Sequence, residues 1–118
     1  MAVTVMSPWL FIAGALCCAL ACIHSILGER LIFRRWRDGL PIPRSHAGII
    51  RASWHVLSLL AVAVGLVLWR VPLDGLSAAV LIVAFALSAV LIAVWTRFRH
   101  PGWLVITVIA LLVLASRL

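Results

Sequence analysis

The sequence predicts an all-α integral membrane protein, a four-helix antiparallel bundle, and three observations carry that prediction. Hydrophobic side chains make up 66% of its 118 residues and charged ones 11%, against roughly 45–50% and about 25% in soluble domains. The apolar residues gather into four stretches, each near the roughly 20 residues a helix needs to cross about 30 Å of hydrocarbon. Most of the charge and four of the five prolines fall in the intervals between those stretches.

The first span is expected over residues 7–27. Pro8 suits a first helical turn, and Trp9 suits a headgroup-level anchor. Ala19-Leu20-Ala21 before Cys22 resembles a cleavage site. A secretory signal carries its positive charge before the apolar run, however, and here the arginines follow it, so the segment is expected to be retained. Cys17, Cys18 and Cys22 read as small packing residues, with Cys18 and Cys22 on one face. A stripe of Phe11, Ala15, Cys18, Cys22, Ser25 and Glu29 gives this helix a thin face that turns polar at its end.

Residues 28–49 form the first long connection. Within it Arg30 to Leu40 predicts a basic interfacial helix, with Ile32, Phe33, Trp36 and Leu40 on one side and Arg30, Arg34 and Arg37 on another. Asp38-Gly39 and Pro41-Ile42-Pro43 should stop it, and a turn is expected at Arg44, Ser45, His46 and Gly48. The second span, 50–71, carries Arg51 and His55 one turn apart, and Ala61 and Gly65 as a close-contact pair. A short turn at Pro72-Leu73-Asp74-Gly75 predicts that the third span, 76–95, returns beside the second, with Ala86, Ala89 and Ala93 as its thin face. The connection 96–102 leads to a fourth span, 103–116. The whole chain therefore reads as a single transmembrane domain.

The net charge of +7 comes from ten arginines. Eight of them, Arg30, Arg34, Arg35, Arg37, Arg44, Arg51, Arg97 and Arg99, lie in or beside the first and third connections. The positive-inside tendency places those connections in the cytoplasm and both termini on the other side, in the manner of a bacterial inner-membrane protein. Arginines confined to short loops build no extended nucleic-acid face, so no nucleic-acid partner is expected. Membrane lipids are the expected partners, with a homo-oligomer or a larger membrane complex open.

The same topology gathers the chemically versatile side chains at one border: His24, Glu29, His46, Arg51, His55 and His100. No Asp, Glu, Lys, Arg or His lies near mid-span, so a site at one end is expected rather than a charged path through the bundle. Three readings compete. His24, His55 and His100, with Glu29, could hold a transition metal or a haem. Arg30, Arg34, Arg35, Arg37 and Arg51 could hold an anionic lipid headgroup, with His24 or His55 as a general base. Or Glu29 pairs with Arg51 or another arginine, the histidines bond loop backbone and headgroups, and the cluster only closes the bundle, as in a structural or accessory subunit. Transport by an oligomer is a further alternative. No nucleophile, and hence no reaction, is identified by the residues alone.

Overall fold

The computed structural model describes residues 7–37, 39 and 42–118. It is all-α: α1 spans Pro8–Leu27, α2 Arg44–Arg70, α3 Gly75–Trp95 and α4 Gly102–Ala115. Asp74 caps α3, its side chain accepting the Ser77 backbone N–H at 2.6 Å. Three segments, Pro8–Phe33, Arg44–Arg70 and Gly75–Trp95, are long and apolar enough to cross a membrane, whereas Gly102–Ala115 is shorter.

The segment after α1 differs from a separate interfacial helix. α1 runs directly into a π-helical turn, Gly28–Phe33, followed by a short 3₁₀ turn, Arg35–Arg37. The wider turn is closed by Arg34 N–H donating to Glu29 O at 2.9 Å, five residues back. Leu40, expected on the apolar side of that helix, lies outside the described residues, as do Asp38 and Pro41. α2 begins at Arg44, so the residues expected as a turn form its first helical turn instead. Pro43, with extended backbone, stands at the N-cap where its missing N–H costs nothing.

The helices pack in pairs, α1 against α2 and α3 against α4, with α1 also touching α4. α3 follows α2 through a short turn but does not pack closely along it. The reason lies in where the small residues point. Gly65, on the thin face of α2, is spent on α1: a Cβ there would come within 2.8 Å of both Cys18 Sγ and Gly14 O. The thin face of α3 contributes Ala89 and Ala93 to the interior. A gap is left between α2 and α3.

Size is distributed inside out relative to a soluble protein. The interior is rich in Ala13, Gly14, Cys17, Ala21, Ala78, Ala89 and Ala93, with Leu68, Ile109 and Val113 as its largest fully buried aliphatics. The outward faces carry Leu57, Leu59, Leu60, Leu76, Val83 and Leu87, all exposed. In water such a surface would be an aggregation hazard. In hydrocarbon it costs nothing, and small interior residues let backbones approach for dispersion contacts.

Candidate functional site

The polar cluster is built from two pairs of residues one helical turn apart on α2, each receiving side chains or backbone from α1. Arg51 and His55 form the first pair. Arg51 grips Glu29 with two parallel bonds, Nε to Oε1 at 2.7 Å and Nη2 to Oε2 at 2.6 Å, the fork geometry that makes guanidinium–carboxylate pairs directional. His55 bridges the end of α1 and the π turn, with Nε2 at 2.8 Å from Glu29 Oε1 and Nδ1 at 3.0 Å from Ser25 Oγ. A carboxylate only accepts, so Nε2 carries a proton, and in the neutral ring the Ser25 hydroxyl donates to Nδ1. Phe33, buried, covers this pair from the π turn: the Arg51 guanidinium lies 5.9 Å above its ring and the His55 ring is 6.2 Å away.

Trp54 and Ser58 form the second pair, and both engage His24. The indole of Trp54 stacks on the imidazole at 4.0 Å between centroids and 7° between planes, while its Nε1–H donates to His24 O at 2.9 Å. The indole lies directly against Gly28, where any Cβ would collide with it. Ser58, buried, donates its hydroxyl proton to Trp54 O at 3.2 Å. That bond uses the only hydrogen the hydroxyl has. The 3.1 Å contact between Ser58 Oγ and His24 Nδ1 is therefore assigned as Nδ1–H donating, which leaves a lone pair on His24 Nε2.

The order Ser25–His55–Glu29 has the sequence of groups found in nucleophilic triads. Ser25 sits within α1, where backbone N–H groups are consumed by the helix, and Arg51 gives its Nε–H and one Nη2–H of its five N–H donors to Glu29. The arrangement fixes His55 and latches α1 to α2.

His24 faces the gap between the helix pairs. There a cleft of about 530 Å³ is walled by Leu20, Ala21 and His24 of α1, Trp54, Leu57, Ser58 and Ala61 of α2, Ser88, Leu91 and Ile92 of α3, Thr96, His100, and Gly102 and Ile106 of α4. His100 enters from the α3–α4 turn, its Nδ1 accepting the Gly102 backbone N–H at 3.0 Å. A Cβ at residue 102 would come within 2.8 Å of His100 Nδ1, so the exposed imidazole would have to swing aside. The turn that presents His100 holds two left-handed residues, Arg97 (φ 49°) and Phe98 (φ 61°).

The candidate site residues thus fall into three groups. Glu29, Arg51 and His55 are joined in one network, and His24 and His100 share the cleft. Arg30, Arg34 and Arg35 are exposed on the π and 3₁₀ turns; the side chain of Arg37 lies outside the described residues. Among the described residues no three His, Cys, Asp or Glu side chains gather as a metal site. Sequence reading missed Ser58 as the partner of His24 and Thr96 and Gly102 as walls of the cleft. The one available signal was the Trp54–Ser58 spacing, which puts both on one helix face.

The fold and cluster define a class, a small helical protein with membrane-length apolar helices and a His/Glu/Arg/Ser cluster at one end. No known protein family, curated protein or solved structure matches the chain.

Proposed function

We propose that the chain is an integral membrane protein whose four helices cross as an antiparallel bundle, and that it binds an uncharged, lipid-soluble ligand in the cleft between its helix pairs. One observation carries this reading: a largely apolar cleft receives two imidazoles from different helix pairs, and neither Nε2 has a partner among the described residues. Its volume lies in the usual range for small-molecule sites, roughly 300–1,000 Å³. No Arg, Lys, Asp or Glu is among its walls, which disfavours a charged headgroup inside it. Leu57 and Leu91, on α2 and α3, are exposed beside it, so a ligand dissolved in the bilayer would enter sideways.

The arginines have a separate task in this reading. Arg30, Arg34, Arg35, Arg44, Arg51, Arg97 and Arg99 are exposed and belong to the helix ends that meet at the His24 level, where they suit anionic headgroups and a cytoplasmic orientation. The test is organic extraction of protein purified in mild detergent, with mass spectrometry of what is released. A neutral lipid-soluble compound retained at about one per chain, and lost from a folded His24→Leu variant, is the expected result. Equal retention by both proteins would sink the assignment.

A further inference from the structure

Resting on that reading of the cleft, we infer that its ligand carries a hydroxyl group held between His24 and His100. In each of the two rings Nδ1 is already engaged, which decides what Nε2 can do. With the Ser58 hydrogen assigned to Trp54 O, His24 Nδ1 is the donor of its contact with Ser58 Oγ and His24 Nε2, in the neutral ring, is an acceptor. Gly102 N–H donates to His100 Nδ1, so in the neutral ring the proton sits on Nε2 and His100 is a donor. The cleft therefore presents one acceptor and one donor of hydrogen bonds, fixed by opposite helix pairs.

Metal ligation by both rings needs two lone pairs, and His100 could supply its second only by giving up the Gly102 bond. A ketone or an ether accepts from His100 but offers nothing to His24. A hydroxyl satisfies both, its hydrogen to His24 Nε2 and its oxygen receiving His100 Nε2–H. The other hydroxyls on the wall do not compete, because Ser88 and Thr96 donate to Ala84 O and Ile92 O of their own helix. Trp54, flat against His24, fixes the ring plane and leaves little rotational freedom to lose on binding. The ligand class is an uncharged alcohol or phenol on a hydrocarbon body, as a polyprenol, a quinol or a diacylglycerol would be.

The test uses the full chain in phosphatidylcholine nanodiscs with a long-chain alcohol brominated near its hydroxyl, and the methyl ether of the same alcohol. Bromine quenches a neighbouring tryptophan, and the Trp54 signal is isolated by subtracting the Trp54→Phe protein. The alcohol is expected to bind about tenfold more tightly than the ether, the worth of one well-made hydrogen bond in an apolar setting. That advantage should vanish in His24→Leu, while His100→Leu should weaken both compounds. Competition by a polyprenol, a quinol or a diacylglycerol then identifies the source of the hydroxyl. Equal binding of alcohol and ether would overturn the hydroxyl class and leave the ligand cleft standing. Binding of neither would overturn the cleft reading itself. Zinc or haem bound stoichiometrically through His24 and His100, in place of the alcohol, would overturn the donor–acceptor assignment.

Discussion

The two helix pairs are held together by different means. α2 is riveted to α1 at two heights by tryptophans that donate to a carbonyl and lie on a glycine. Trp54 donates to His24 O over Gly28, and Trp69 donates to Phe11 O at 2.9 Å over Gly14. The Glu29–Arg51–His55–Ser25 network adds a polar latch at one end. Between α3 and α4 the polar groups stay at home: Ser88, Thr96 and Thr107 each donate to a carbonyl of their own helix four residues back. That pair closes by alanine contacts and by Phe98 set edge-on to Trp103 at 5.6 Å. It also carries a groove of about 440 Å³ walled by Ile82, Ala86, Val90, Phe98, Trp103 and Leu114 among others, with no titratable group.

The contrast shows where chemistry can reside. Interhelical hydrogen bonds in hydrocarbon contribute only about 0.6 kcal/mol each on average, too little to explain the crowding of polar groups at one end by stability alone. They do fix orientation. A ring stacked on an indole and bonded through Nδ1, with its backbone carbonyl held by the same indole, as His24 is, is held in one plane, which an apolar interface cannot impose.

The largest expected break in this contrast is at the close approach of the riveted pair. Gly65→Leu would drive a side chain into Cys18 and the Gly14 carbonyl, and should cost about 1–3 kcal/mol or prevent folding. Leu87→Ala on the exposed face of α3 should be close to neutral in the same thermal melt in detergent. If the two were equally harmful, the glycine contact would not be what brings α1 and α2 together.

A smaller effect is expected from Trp54→Phe, which keeps an aromatic face on His24 but removes the donor to its carbonyl. The loss should be on the order of 0.5–1 kcal/mol, with the retention of ligand reduced more than the melting temperature suggests. Unchanged retention would show that the plane of His24 is set elsewhere.

Two smaller tests address the turns. Arg97 adopts a left-handed backbone, so Arg97→Gly should stabilise the α3–α4 pair by about 0.5–1 kcal/mol, and a melting point that falls would contradict that. At the opposite end, the Ser77 backbone N–H holds the Asp74 carboxyl below the ordinary carboxylate range. Its folded-state value is depressed, so the cap contributes above the unfolded value and is lost as acid carries the pH down through the folded one. Asp74→Asn should flatten that acid limb of the stability curve and leave neutral behaviour nearly unchanged.

Much of this was legible in the residues. Apolar periodicity and length announced helices long enough for a bilayer, and the gathering of His24, Glu29, Arg51, His55 and His100 at one end followed from counting turns. An arginine partner for Glu29 was legible too, with Arg51 one choice among several at the same border, and the structure selects Arg51. The division of the histidines was not. Whether His55 turns to Glu29 or to His24 depends on the crossing of α1 and α2, which is set by Gly14 and Gly65 meeting far along the helices. Likewise the short Pro72–Gly75 connection suggested that α3 lies along α2. The cleft exists because α2 spends its small face on α1, a choice that no local pattern records.

The measurement that bears most directly on the account is photo-crosslinking of a lipid alcohol carrying a diazirine in its chain, with the labelled residues located by peptide mass spectrometry. The account predicts labels on the cleft walls of α2 and α3, around Leu57 and Leu91, displaced by unlabelled alcohol and lost in His24→Leu. Labels centred on the Phe98–Trp103 groove, or spread evenly over the lipid-facing surface and indifferent to His24, would contradict it.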